Sequence, residues 1–205
     1  TDRISYKSFP HIGICTAHRF PSKYFNDYGA EIINIANQIV QAFQIKNGPI
    51  YFQMLIGEEG IKVNEIACRI GGAYEDEFIP LITGVDILDM LIESSIGNEI
   101  DESVLNQYNI YKNKKHLSVQ MIFAKPGTIT KMNDMNEILK LPGVVQAKYN
   151  FKIGFRLKSI ENATARAGFM IITGDSKKDL DDNIKHAYSK LYISDEDDRN
   201  LIMNF

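Results

Sequence analysis

The residues best suited to chemistry lie in the apolar segment 49–84, which the pattern predicts to be two strands joined by a tight turn. Gln53 lies half-way along the first strand, Glu65 lies on the second, and Arg69 follows Glu65 by four residues. A carboxylate in an apolar hairpin costs several kcal/mol unless a cation or hydrogen bonds meet it. The arginine beside this acid indicates a site for an anion bound with a metal ion, such as a nucleotide phosphate. The structural alternative is that Glu65 pairs with Arg69 or Lys62 and that Gln53 is a satisfied polar residue.

The turn of this hairpin decides whether the two polar side chains meet. A three-residue loop over 58–60 is a common hairpin type that favours glycine at its last position, here Gly60, and it places Gln53 directly opposite Glu65. A longer, four-residue turn would instead place Gln53 opposite Asn64. We predict the three-residue loop. With Cβ atoms about 5 Å apart, the amide oxygen and the carboxylate could share a hard cation such as Mg²⁺.

The elements that would position these residues follow from apolar spacing and from turn residues. Helical spacing predicts a long amphipathic helix over 24–45, and Asp86 begins another helix that ends at Ile96. We further predict short strands at Ile4–Tyr6 and Ile12–Thr16, a loop at 18–22, and strands at 117–124, 129–132, 144–150 and 168–173. Asp134 is predicted to cap one further helix, and Asp175 or Ser176 to cap another. The acids at 75–77 are predicted to cap a turn, and the tail, 194–205, to begin as a solvated acidic run.

Composition and charge limit the class of protein. The chain has 205 residues, of which 44% are hydrophobic and 24% are charged, as in an ordinary globular protein. The formal net charge of −3 gives no basic footprint for nucleic acid or for an anionic membrane. No apolar run approaches the roughly 18 residues of a membrane span. We therefore expect neither kind of partner, and we expect a cytoplasmic location.

Several of these motifs resemble the C-terminal half of the ATP-grasp nucleotide-binding module, as found in carbamoyl-phosphate synthase large subunits, biotin carboxylase and phosphoribosylglycinamide synthetase. The second strand of that module reads acidic–x–Asn–x–Arg, which Glu65 and Arg69 match, and Gln53 stands in the place of the first metal ligand. Three other stretches carry the resemblance: 83–86 matches a TGVD-type helix start, 125–129 is similar to the opening of the biotin-carboxylase C-terminal domain, and 166–175 is similar to a later strand and turn of that domain.

The resemblance implies an α+β fold in two parts. Residues 1–97 would be the C-terminal half of the ATP-grasp module, an antiparallel sheet with helices, and 98–116 a linker. Residues 117–205 would be a small α/β unit like the C-terminal domain of biotin carboxylase. It also implies that the N-terminal half of the module, with its Gly-rich loop and lysines, belongs to a missing segment of the same protein. We therefore expect this chain alone to be inactive.

The resemblance also implies an activity, that of an ATP- and Mg²⁺-dependent carbon–nitrogen ligase, with Mn²⁺ as the alternative metal. Such an enzyme activates a carboxylate as an acyl phosphate, which an amine or ammonia then attacks. The implied site residues are Gln53 and Glu65 for the metal and nucleotide, Arg69 for the phosphate, His18 for the nucleotide, and Arg166 for the carboxylate substrate, with Arg69 and Arg166 as the catalytic pair.

One departure from the family pattern keeps other interpretations open. Ala67 stands where the family has Asn, so one expected oxygen ligand is missing. This favours a degenerate, non-catalytic ATP-grasp binding module as the first alternative. The second alternative is an unrelated α/β interaction domain with a structural carboxylate in its hairpin. For the ligase, the expected partners are small-molecule carboxylate and amine substrates and a second copy of the chain in a homodimer.

Overall fold

The computed structural model describes residues 1–5 and 13–204 as a mixed α+β structure, which confirms the predicted fold class. The chain divides into two compact units. The first contains the described parts of Thr1–Ser22 and Lys114–Phe205, and the second contains Lys23–Asn113. The predicted strand ends at Tyr6 and Ile12 lie outside the described residues.

Strands and helices are interspersed along the chain. The strands are β1 (Asp2–Ser5), β2 (Cys15–Phe20), β3 (Tyr51–Gly57), β4 (Gly60–Ala67), β5 (His116–Ile122), β6 (Gly127–Thr128), β7 (Lys131–Met132), β8 (Val144–Tyr149), β9 (Arg156–Leu157), β10 (Gly168–Gly174) and β11 (Ile193–Ser194). The α-helices are α1 (Phe25–Ala42), α2 (Glu75–Thr83), α3 (Ile87–Ser95), α4 (Met135–Ile138) and α5 (Lys177–Lys190). Short 3₁₀ segments cover Glu102–Asn106, Ile110–Lys112 and Ala163–Ala165.

The first unit is organised by a five-stranded antiparallel sheet in the order β1-β2-β5-β10-β8. Its central strands β5 and β10 are buried along most of their length. β10 is accordingly a nearly continuous apolar run, whereas β5 alternates apolar residues with polar ones, of which Ser118 and Gln120 are buried. Ile122, Met170 and Ile172 pack on one face of the sheet against Leu180 and Ile184 of α5. Of the two predicted cap residues, Asp175 and Ser176, it is Ser176 that caps α5, by accepting from the Asp179 N–H.

This sheet differs from the predicted organisation at its edge. The predicted loop over 18–22 is wrong for His18, Arg19 and Phe20, which belong to β2 and pair with β5. The described residues of 1–22 therefore lie in the same unit as those of 114–205, whereas we predicted them in a first domain over 1–97. The reason is long-range pairing across about a hundred positions of sequence, which local turn signals around Pro21 do not report.

The tail departs from expectation at its first two residues, whereas 196–199 are exposed, as the predicted solvated acidic run requires. Ser194 and Asp195 are buried, and Leu201 and Ile202 join the core. The Asp195 carboxylate accepts from the Asp197 and Arg199 N–H groups and from the Arg199 guanidinium. These bonds close a turn on the acid and compensate for its burial.

The second unit consists of α1, the β3–β4 hairpin, α2 and α3, followed by two 3₁₀ segments in the predicted linker. α3 starts at its N-cap residue Asp86, as predicted, and the Asp86 side chain caps it by accepting from the Leu88 and Asp89 N–H groups. Thr83 closes the preceding corner by accepting from the Val85 N–H. None of the helices in the described parts of the chain has the length and apolarity that crossing a membrane requires.

Candidate functional site

The β3–β4 hairpin brings Gln53 and Glu65 into direct opposition, which confirms the predicted pairing. The route to this register differs from the prediction. Gly57 pairs with Gly60 around a two-residue turn, and Met54 pairs with Val63. This register alone would place Gln53 opposite Asn64. A bulge at Asn64 shifts it by one residue, so that Glu65 meets Gln53 instead.

The bulge also determines which side chains share a face at the base of the hairpin. Tyr51 pairs with Ala67 two residues beyond Gln53 and Glu65, so these four residues project to the same side. Arg69 lies just past the end of β4. Its guanidinium carbon is 5.6 Å from the centroid of the Tyr51 ring, and its Nη1 donates to the Ile70 carbonyl.

The carboxylate of this cluster is not buried, contrary to our expectation of a buried acid. The Glu65 side chain is 47% exposed and that of Arg69 is 53% exposed. Because the hairpin forms a sheet of only two strands, its polar face stays accessible. Arg69 Nη2 lies 3.5 Å from Glu65 Oε1, so the pair predicted as the structural alternative does exist. An exposed pair at this distance contributes between about 0 and 1 kcal/mol, so an anion or a cation could readily replace either partner.

A second acid near the hairpin is held inside the unit. Glu75, the first residue of α2, is buried, and its Oε2 accepts from the Ala73 N–H at 2.6 Å. A Cβ atom on Gly71 would come within 2.3 Å of the Glu75 carboxyl carbon, so the missing side chain of Gly71 allows the acid to lie against the backbone. Glu75 therefore holds the backbone just before α2, whereas the N-cap residue of the helix is Tyr74.

His18 lies on β2 in the first unit, and only 5% of its surface is exposed. Its Nδ1 is 3.0 Å from Thr1 Oγ1. Burial lowers the pKa of His18 to about 4, and the positive charges of Arg3 and Arg166 act in the same direction. The imidazole is therefore neutral at pH 7, able to donate or accept a hydrogen bond but not to act as a cation.

Arg166 belongs to the same unit and follows the 3₁₀ segment Ala163–Ala165. It is half-buried, and its carbonyl accepts from Asn150 Nδ2 at 3.0 Å. Arg166 and Arg3 both act on the buried Cys15, where they oppose the larger effect of burial, which raises the pKa of the thiol. Two arginines thus stand near a neutral histidine and a protonated thiol.

The structure therefore groups the predicted site residues into two sets. Gln53, Glu65 and Arg69 come together on the hairpin of the second unit, whereas His18 and Arg166 belong to the first. Sequence reasoning missed three members: Tyr51, Arg3 and Cys15. Strand alternation on β3 could have found Tyr51, because it lies two residues before Gln53. Arg3 pairs across strands with His18, which only the β1–β2 register reveals.

The hairpin pair fits a metal ion only if the ion brings further ligands. Among residues 1–5 and 13–204, no group of three or more His, Cys, Asp or Glu side chains is arranged to hold a metal. Gln53 and Glu65 offer one amide oxygen and one carboxylate on an open face. Mg²⁺ commonly binds through one or two carboxylates while water and substrate phosphates complete its octahedron. The donor set therefore suits a cation that arrives with a nucleotide.

Comparison with known proteins adds a family match and several structural neighbours. Residues 120–196 match the family model of the L-amino acid ligase C-terminal domain 2. Phosphoribosylglycinamide synthetase from Anaerococcus prevotii is similar with a TM-score of 0.79 and 17% identity, over 95% of this chain and 48% of that one. L-amino acid ligase from Bacillus licheniformis is similar with a TM-score of 0.75 and 15% identity, over 90% of this chain and 47% of that one.

A third neighbour was solved with ligands. The biotin carboxylase domain of 2-oxoglutarate carboxylase from Hydrogenobacter thermophilus, a dimer in complex with MgADP, ADP and bicarbonate, is similar with a TM-score of 0.69 and 15% identity, over 91% of this chain and 41% of that one. The chain thus spans less than half the length of each of these structures. No curated protein matches its sequence.

Proposed function

This chain has the fold of the C-terminal portion of ATP-grasp enzymes, and on that basis we propose that the complete protein is an ATP- and Mg²⁺-dependent ligase. The proposed reaction joins a carboxylate to an amine or ammonia. The observation that supports it most directly is the opposition of Gln53 and Glu65 on one open face, with Arg69 at the end of the strand.

The proposed reaction has two steps. A carboxylate oxygen attacks the γ-phosphorus of ATP, which yields an acyl phosphate and ADP. The amine nitrogen then attacks the acyl carbon, phosphate leaves with the electron pair of the broken C–O bond, and the nitrogen loses a proton. Because negative charge is redistributed over phosphoryl oxygens in the first step, the groups that matter most are those that position and neutralise these oxygens.

Three residues of the hairpin have proposed roles in that step. Gln53 and Glu65 would hold Mg²⁺ through one oxygen each, and the bound ion would supply charge neutralisation at the phosphates. Arg69 would leave its weak pair with Glu65 and donate to phosphate oxygens as a planar, permanently charged fork. Tyr51, whose ring lies beside the guanidinium, would keep Arg69 extended along the site.

The first unit would contribute to the carboxylate side of the reaction. Arg166 is the proposed partner of the substrate carboxylate, since arginine matches carboxylate geometry with two parallel N–H donors. His18 is proposed to act near the nucleotide as a neutral hydrogen-bonding group, because its pKa of about 4 leaves it uncharged at pH 7. A homodimer and a cytoplasmic location belong to the same proposal.

The test uses the complete protein with Mg²⁺-ATP and a panel of carboxylates and amines. We expect Mg²⁺-dependent ADP release that requires both substrates, and a loss of at least about a hundredfold in Glu65→Gln, the scale typical for one preorganised electrostatic group. Glu59→Gln is the matched control, because Glu59 is an exposed acid at the tip of the same hairpin. Full activity in Glu65→Gln would show that the hairpin is not part of the active site. An absence of turnover in the parent protein would rule out the ligase proposal.

A second candidate function is a non-catalytic ATP-grasp module that binds nucleotide without turning it over. The specific observation in its favour is Ala67, which adds no oxygen to the face that holds Gln53 and Glu65. Calorimetry that shows Mg²⁺-ADP binding by the complete protein, together with no ADP release under any substrate pair, would favour this candidate over the ligase.

A further inference from the structure

Residues 141–160 of the first unit differ from the rest of the chain in their charge composition. They include no Asp or Glu and carry four cations, Lys148, Lys152, Arg156 and Lys158, although the whole chain has a formal net charge of −3. All four side chains are on exposed residues, and none forms an ion pair within the described parts of the chain. Elsewhere in this unit, Arg19, Lys131, Lys178 and Arg199 each pair with an aspartate.

Residues 148–158, which form the basic aromatic loop, present apolar side chains on a fixed turn. The Phe155 N–H donates to the Lys152 carbonyl at 3.0 Å, and Gly154, at the third position of this turn, has φ +89°, as a type II turn requires. Ile153 occupies the tip and is 63% exposed, and Phe155 is 44% exposed. The turn therefore holds two apolar side chains out toward solvent.

Contacts beneath the turn keep it in place. The Gly154 N–H donates to the carbonyl of the buried Ile129 at 2.7 Å, and the Ile129 N–H donates to the Phe155 carbonyl at 3.0 Å. The rings of Phe151 and Phe155 stack with centroids 4.0 Å apart, and Phe151 also packs against the core of the unit. The apolar tip is therefore ordered before any partner arrives, which lowers the entropic cost of binding.

A concave surface adjoins this loop. A cleft of about 590 Å³ is lined by 126–128 and 156–158 together with Asp195, Glu196 and Arg199. Arg156 and Lys158 therefore belong both to the basic aromatic loop and to the wall of the cleft. Unpaired cations beside an exposed apolar tip match a ligand that combines negative charge with apolar groups.

We propose that the basic aromatic loop and its cleft form a docking site for an acidic protein segment that carries aromatic or aliphatic side chains. The lining favours a peptide over other polyanions. A flat anionic bilayer or a nucleic acid backbone would bring its phosphates against Glu196 as well as the cations, whereas a peptide can place an amide or a cation there. The apolar side chains of the segment cover Ile153 and Phe155, and its carboxylates face Lys152, Arg156 and Lys158.

The test measures binding of a fluorescein-labelled random copolymer of glutamate and tyrosine to the 205-residue chain by anisotropy. We expect saturable binding that weakens as salt rises and that exceeds the binding of poly-glutamate at the same charge. Ile153→Asp is expected to weaken copolymer binding at least tenfold. Leu139→Asp, which alters another partly exposed apolar residue of the same unit, is the matched control and is expected to leave binding unchanged.

A charge-reversed pair keeps the test decisive if Ile153→Asp fails to fold. Lys152→Glu/Arg156→Glu should weaken binding at least tenfold, and Lys140→Glu/Lys185→Glu, with the same net charge, should not. Equal losses in both double variants would overturn the proposal. So would tighter binding to phosphatidylglycerol vesicles or to a single-stranded oligonucleotide than to the copolymer. A dimer in sedimentation that disappears in Ile153→Asp would also overturn it, since the occupant would then be a second copy of the chain.

Discussion

The two compact units hold their chemically interesting residues in different ways. In the unit with the five-stranded sheet, His18 and Cys15 are enclosed by strands and their pKa values are shifted by burial. In the unit over Lys23–Asn113, Gln53 and Glu65 lie on a two-stranded hairpin whose polar face is open. Burial tunes the protonation of groups in the first unit, whereas backbone register alone positions the groups in the second. Substitutions should therefore reveal themselves mainly as stability effects in the first and as binding effects in the second.

The largest expected effect is on the core of the first unit. Ile172 lies at the centre of the apolar cluster and is fully buried, so Ile172→Ala should lower the free energy of unfolding by about 2–5 kcal/mol. Leu55 on the hairpin is 56% exposed, and Leu55→Ala should cost less than about 1 kcal/mol. Urea titration of both variants measures the two values. Similar losses of unfolding free energy in the two variants would contradict the expected difference between the buried core of the first unit and the open hairpin of the second.

The next largest effect is the loss of stability at low pH that protonation of His18 causes. In the folded state its pKa is about 4, below the ordinary value of 6.5, so the unfolded state binds its proton first as the pH falls. The contribution of neutral His18 to stability is complete above pH 6.5 and is lost progressively toward pH 4, by about 3 kcal/mol in total. Urea unfolding at pH 7 and pH 4 should show this loss in the parent chain. His18→Gln should lack that component, and an unchanged difference between the two pH values would contradict it.

A smaller effect tests the open face of the hairpin. Ala67→Asn places an amide oxygen on the face that carries Gln53 and Glu65. If this face binds the metal, Mg²⁺ affinity of the complete protein in the presence of ADP should rise about tenfold, or about 1.4 kcal/mol. Val63→Asn, an exposed position of the same strand before the bulge, is the control for surface polarity. A rise in both variants would show that the gain does not come from this face.

The smallest effect is expected for the ion pair itself. Arg69→Ala removes an exposed partner 3.5 Å from Glu65 and should change the free energy of unfolding by less than about 1 kcal/mol. Its effect on ADP binding by the complete protein should be larger than its effect on stability. Thermal unfolding and nucleotide titration of the same variant separate the two. A loss of stability above about 2 kcal/mol would mean that Arg69 is a structural residue after all.

Much of this fold could be predicted from the sequence where the signal is local. The helix start at Asp86, the cap at Asp134 and a cap at Asp175 or Ser176 could be predicted, because the side chains of Asp86, Asp134 and Ser176 satisfy N–H groups two or three residues away. The fold that the resemblance implied is confirmed by the structural neighbours, and residues 120–196 match the model of an L-amino acid ligase domain. The roles of Gln53 and Glu65 as ligands stay predictions.

The rest depends on contacts that local patterns do not encode. The place of β2 beside β5 was missed because strands far apart in sequence choose partners by burial of whole faces, not by turn residues. The burial of Asp195 was missed because its compensation comes from backbone N–H groups in a turn that only the folded tail forms. The pairing of Gln53 with Glu65 was predicted correctly, although a bulge and not the turn produces it.

That bulge has a consequence for how the hairpin can tolerate changes in chain length. Asn64 is the extra residue on β4, opposite no single partner on β3. Deleting it would let the regular register run through from the turn and would still leave the acid of Glu65 opposite Gln53. Deleting a residue of β3 between Gln53 and the turn would instead rotate one of the two side chains to the opposite face. Position 64 is therefore a site where the hairpin can lose one residue while the facing pair is retained.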